Sequence, residues 1–240
     1  MAMAATPTCS ANGYTVVYVN GVFDTLEEAK ANKAQFQLIF DRQNGGLVNG
    51  QPVNFQLGYN PSHLNGLGDV AQSVAQLFGT SISSFDLDTV LMQIYPEVQT
   101  RKLLLVGHSQ GAFYTNSMYS YLLSHGEPNS SVAVYNVASP ATYTAGGGKY
   151  LNSSGDNLLF DLRAAHLDIL PNNIDLIPAN ETDFFPGHSF VNDYLDNAGT
   201  QMLADMSTEM SNLQPTDASN IGDCFTPPQQ DTSYTAEQIG

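Results

Sequence analysis

Residues Leu103–Val106 form an unbroken apolar run that ends directly in Gly107-His108-Ser109-Gln110-Gly111. The next residues, to Gly126, carry helical spacing. An apolar run this short, closed by turn residues, reads as a strand buried on both faces. Such strands belong to parallel sheets whose crossover helices cover each face. Two glycines bracket one serine at the handover. Without side chains at 107 and 111, strand and helix can approach closely. The serine between them is forced into a strained turn, with its hydroxyl above the carboxyl edge of the sheet. Ligands of open α/β sheets bind at that edge.

The rest of the chain repeats the pattern. Residues 13–23 (GYTVVYVNGVF) read as a strand, and Thr25 and Glu28 have capping-box spacing before a helix to about Arg42. Residues 44–52 are a turn cluster, and 53–60 a second strand. Helical spacing covers 69–79 and 85–99. Further strands are expected at 131–139 and 157–162, and a helix over about 196–213. There is no repeat and no clear linker, so one domain over 1–240 is expected, with a polar tail from about 214. The fold class is α/β: a mainly parallel central sheet with helices on both faces, in three layers. The GGGK at 146–149 lacks the context of a phosphate loop.

Composition narrows the partners. Seven Lys and Arg face 23 Asp and Glu, a net of −16. Duplex binding needs a basic footprint, so nucleic acid is not an expected partner. No apolar run approaches the roughly 20 residues that span a bilayer. Cys9 and Cys224 lie near the two ends; they fit a single bridge, which would suit an exported chain, or two free thiols. Sequons stand at Asn129, Asn152 and Asn180. The opening MAMAATPTCS lacks the basic and apolar regions of a signal peptide and fits a mature N-terminus, so secretion is the expected localisation.

A G-x-S-x-G between a buried strand and a helix is a nucleophile elbow. Here the chain resembles the α/β-hydrolase family, and within it the lipases and esterases, over roughly residues 13–195. The resemblance implies Ser109 as nucleophile, followed in chain order by an acid and a histidine. Of His63, His108, His125, His166 and His188, the last sits in a late Pro-Gly loop, FFPGHSF, similar to the family's histidine loop. His166 is the alternative. His125 reads as a partner of its helix's C-terminal dipole, His108 as packing beside the elbow, and His63 as a solvated loop residue.

For the acid, the family order points past the strand expected at 157–162. Asp168 stands there, in a DILP stretch that looks like the Asp-Ile/Pro-Val-Pro segment of many lipases. Asp175 is the second candidate; Asp161 falls within the expected strand as a structural carboxylate. The resemblance also implies an oxyanion hole made by the N–H groups of Gln110 and Val22. Asn20-Gly21 stands where the family often has His-Gly. Phe23 would wall the acyl pocket.

The implied activity is carboxylic ester hydrolysis, by an esterase or lipase, through an acyl-enzyme. Cutinase-like polyester cleavage, thioesterase and amidase chemistry use the same groups. A non-catalytic binding module on the same fold is the competing reading. No cofactor is expected: the chain has no HExxH, no Cys/His cluster with zinc spacing and no GxGxxG after a strand. The expected partner is an ester or lipid, including a polymer, because the chain is too short for a large cap. Segments 61–68 and 141–155 remain as modest rims.

Overall fold

The computed structural model describes residues 9–22, 24–61, 83–215 and 224–229. Six strands form one sheet in the order β2-β3-β1-β4-β5-β6. Strands β1 (Tyr14–Val19), β3 (Gln51–Gly58), β4 (Leu103–His108), β5 (Val132–Val137) and β6 (Tyr150–Leu151) run parallel. Among the described strands only β2 (Leu47–Val48) is antiparallel, paired to the edge of β3. Among the described residues the α-helices are α1 (Leu26–Asn44), α2 (Ser84–Ile94), α3 (Gly111–Ser124), α4 (Asn157–Ala164) and α5 (Asp196–Asn212).

Side-chain alternation along the strands builds the three layers. Val16, Tyr18, Leu104 and Val106 point to one face, where Phe36 and Phe40 of α1 and Met202 and Met206 of α5 cover them. Val17, Val19, Leu103 and Leu105 point to the other, against Val90 and Leu91 of α2 and Tyr114 and Met118 of α3. Strands buried on both faces have no solvent side, which is why they read as continuous apolar runs. The capping box expected at Thr25 and Glu28 is present and starts α1: the Glu28 N–H donates to Thr25 Oγ1 at 3.3 Å and the Thr25 N–H to Glu28 Oε2 at 2.8 Å.

Two expectations are corrected. Residues 157–162 are not a strand but the body of α4. A six-residue run of this kind fits strand or buried helix equally, and the Asp156 side chain decides by accepting from the Leu159 N–H at 3.1 Å, an N-cap. The 141–155 stretch, expected as a rim, contains β6, a two-residue strand too short to announce itself by pattern. The helix expected at 69–79, and most of the 61–68 loop, lie outside the described residues.

Cys9 and Cys224 are joined as a disulfide across 215 positions, with Cα atoms 5.0 Å apart. Both are buried, beside Tyr95 and Phe225. Ser10, next to the bridge, pairs with Thr100 ahead of β4. A cross-link spanning nearly the whole chain restricts the unfolded ensemble strongly. Reduction, or Cys224→Ser, is expected to cost about 2–5 kcal/mol, read as a lower urea midpoint. No helix among the described residues is long and apolar enough to cross a membrane.

Candidate active site

Ser109 sits between β4 and α3 with φ of 54°. The left-handed region is costly for a non-glycine residue and persists only where its surroundings enforce it. The enforcement is visible at both flanking glycines. A Cβ on Gly107 would lie 2.6 Å from the Gly111 carbonyl oxygen, and one on Gly111 2.2 Å from that of Val19. The Ser109 N–H donates to the Val137 carbonyl at 3.0 Å, tying the bend to β5.

His188 meets Ser109 from the other end of the chain: its Nε2 is 2.8 Å from Ser109 Oγ. On the opposite side of the ring, Nδ1 is 2.8 Å from Asp156 Oδ2. Asp156 is fully buried, and the Tyr194 hydroxyl also donates to its Oδ2 at 2.9 Å. Tyr194 in turn accepts from the Ser153 N–H at 3.0 Å. Tyr194 lies in a wide helical turn, Phe190–Leu195, that begins directly after the histidine loop. One short segment thus supplies both the imidazole and a hydroxyl that orients its carboxylate.

Neither carboxylate expected from the sequence reaches the imidazole. Asp168 is exposed, beyond the end of α4. Asp175 is exposed too, and its carboxylate accepts from Ser154 Oγ. Asp161 lies on the exposed side of α4. Asp156 takes the place because α4 is a helix: its N-cap stands at the carboxyl edge of the sheet, five residues after β6. The signal in the sequence is Ser153-Ser-Gly-Asp156 ahead of an apolar run, a helix-start pattern that the strand reading hides.

The remaining histidines fall as their surroundings dictate. His108 is buried, and its Nε2 lies 2.9 Å from the His188 carbonyl oxygen, so Nε2–H donates there. Burial, with His188 beside it, lowers its pKa to about 3, and the ring stays neutral. His125 stacks on Tyr121 at 3.9 Å, with Nδ1 2.8 Å from the Tyr121 carbonyl at the end of α3, as expected. His166, with φ of 63°, is exposed past α4 and does not approach Ser109. His63 and Phe23 lie outside the described residues.

Of the two residues expected as oxyanion donors, Gln110 follows Ser109 directly in the chain and Val22 lies in the loop after β1. Gln110 is the N-cap of α3, so its N–H has no intrahelical acceptor. Val22 is buried against Leu158, Leu159 and Leu162 of α4. Gly21, next to Val22 in the chain, passes so close that a Cβ there would lie 3.0 Å from Ser109 Cβ. A buried amide network holds this loop: Asn20 Nδ2 donates to the Gly21 and Asn60 carbonyls at 2.8 and 3.2 Å. The Asn60 N–H donates to Asn20 Oδ1 at 2.8 Å, and Asn60 Nδ2 to Gln110 Oε1 at 2.7 Å.

Ser109 and His188 open onto a cavity of about 350 Å³ whose outer wall includes Asp24, Glu28, Asp183, Phe184 and Phe185. Ser109 is itself only 1% exposed, and the cavity is where it meets open space. The Asp24 pKa rises to about 6, chiefly through burial and then through Glu28, with His188 pulling it back. The sign follows from linkage. A carboxyl whose folded pKa exceeds its unfolded value stabilises the fold only when protonated, and that contribution is lost as pH rises from about 4 through 6. Asp24→Asn is therefore expected to raise the melting temperature by roughly 2–4 °C at pH 8 and by less at pH 5, measured by calorimetry.

Among the described residues no cluster of His, Cys, Asp and Glu is arranged to hold a metal ion. No protein-family model matches the chain, and no curated protein does. Solved structures that match the chain include two hydrolase-related ones. One, from Lactobacillus plantarum WCFS1, is provisionally assigned as a cell surface hydrolase; it is 10% identical over 87% of this chain and 95% of that one, with a TM-score of 0.42. The other is a cutinase-like protein from Cryptococcus sp., 14% identical over 85% of this chain and 94% of that one, with a TM-score of 0.35.

Proposed function

We propose that the protein is a serine hydrolase of carboxylic esters, with Ser109 as nucleophile, His188 as base and Asp156 as the acid. The observation that carries this reading is the unbroken line of contacts from Ser109 Oγ through His188 to Asp156, each 2.8 Å. Three segments distant in sequence converge there, and the nucleophile is held in a backbone conformation that costs stability.

In the proposed reaction His188 Nε2 accepts the Ser109 proton as Oγ attacks the ester carbonyl. Asp156 accepts from Nδ1–H, which fixes the tautomer and stabilises the imidazolium. The N–H groups of Gln110 and Val22 stabilise the oxyanion; losing one such donor typically raises the barrier by ~3 kcal/mol. The imidazolium then protonates the leaving alcohol. Water, deprotonated by the same ring, releases the acid and restores Ser109.

An ester-hydrolysing role outside the cell fits the disulfide, which persists in oxidising compartments. The test is labelling by a fluorophosphonate together with turnover of p-nitrophenyl esters from butyrate to palmitate. Labelling at Ser109 with ester turnover supports the reading, and the chain-length profile separates esterase from lipase. Absence of both, in folded protein, would establish the non-catalytic binding module instead.

A further inference from the structure

The wall of the cavity has an unusual inventory. Among the described residues that line it, the charged side chains beyond Ser109 and His188 are Asp24, Glu28 and Asp183, and none is lysine or arginine. His108 adds another acceptor. Its proton is on Nε2, committed to the His188 carbonyl, so Nδ1 presents a lone pair. That atom is buried and has no hydrogen-bond partner among the described residues. His108 lines the same cavity, and a Cβ on Gly21 would sit 3.3 Å from Nδ1. A buried acceptor left unpaired is costly unless a ligand or water supplies the donor.

Aromatic surface stands beside these acceptors. Phe184 is 69% exposed, and its ring lies edge-to-face with Phe185 at 4.6 Å. Carboxylates next to an aromatic face attract a cation through charge and ring quadrupole together. Glu28 is engaged by the Thr25 cap, whereas among the described residues the Asp24 carboxylate receives a long 3.4 Å contact from Asn32 Nδ2 and a Gly21 backbone contact. Asp24 is thus the carboxylate best placed to gain from an incoming positive charge. Its raised pKa agrees, because a bound cation would offset the burial and the Glu28 repulsion that produce it.

We infer that this cavity selects esters that carry an ammonium or similar cationic donor group, with Asp24 as the specificity-determining residue and anionic esters excluded. The inference rests on the ester-hydrolase reading for its reaction, but not for its binding preference.

The test compares methyl 6-aminohexanoate, protonated at its amine, with its neutral carbon isostere, methyl heptanoate. At low ionic strength kcat/KM is expected to favour the cationic compound by about tenfold, equivalent to about 1.4 kcal/mol. The ratio should fall toward one in Asp24→Asn and at 1 M salt, where charge is screened. A ratio at or below one for the wild type overturns the inference and leaves ester hydrolysis standing. Calorimetric binding of both compounds to Ser109→Ala separates the two ideas. Preferential binding of the cation without turnover of either compound by the wild type supports the cation site and refutes the reaction. Equal binding of the two, or binding of neither, overturns the cation site.

Discussion

Ser109→Ala is expected to remove ester turnover by roughly a million-fold while leaving the fold intact. The loss is this large because the residues of such a unit do not contribute independently: without the nucleophile, base and acid have nothing to activate. The residual rate should reflect only binding and the two N–H donors. Alanine at φ of 54° is strained like serine there, so the backbone is little disturbed. The check is kcat on p-nitrophenyl butyrate, with an unchanged circular dichroism spectrum and melting temperature. Wild-type turnover by the variant would move the reaction elsewhere.

Asp156→Asn is expected to lower kcat by about 10⁴-fold, whereas Asp168→Asn and Asp175→Asn should keep wild-type rates. Asparagine at 156 retains an acceptor for the Leu159 N–H, so α4 remains capped. It cannot, however, accept from both the His188 ring and the Tyr194 hydroxyl as Oδ2 does. An amide turned toward the ring donates to Nδ1 and imposes the tautomer with the proton on Nε2, which cannot take the Ser109 proton. Single-turnover kinetics on the three variants decide the assignment. A slow Asp168→Asn variant beside an unimpaired Asp156→Asn variant would reverse it.

The elbow is legible in the amino-acid sequence because its constraints are local. Leu103–Val106 announces a doubly buried strand, and Gly107 and Gly111 are the residues that a backbone approach of this kind requires. His188 is legible for a related reason: the Pro186-Gly187 turn frees a loop, and Gly187 takes φ of 81° there. The carboxylate that meets His188 is not legible. Asp156, Asp168 and Asp175 all stand near turn residues, and choosing among them depends on whether 157–162 is strand or helix. Local apolar content is the same for both, so only packing decides. Leu158, Leu159 and Leu162 bury together against Val22, a three- and four-residue spacing that a strand would have split between two faces.

Spacing and composition suffice for the α/β class, the strand–serine–helix bend and the acidic, lysine- and arginine-poor character of the chain. Each depends on a short stretch of residues or on simple counts. Which carboxylate faces His188, that Cys9 meets Cys224, and that Asp24, Glu28 and Asp183 share one cavity with Ser109 are all properties of the folded chain. Those are meetings between residues tens to hundreds of positions apart. They follow from how helices and loops pack around the sheet, and no local pattern encodes that packing.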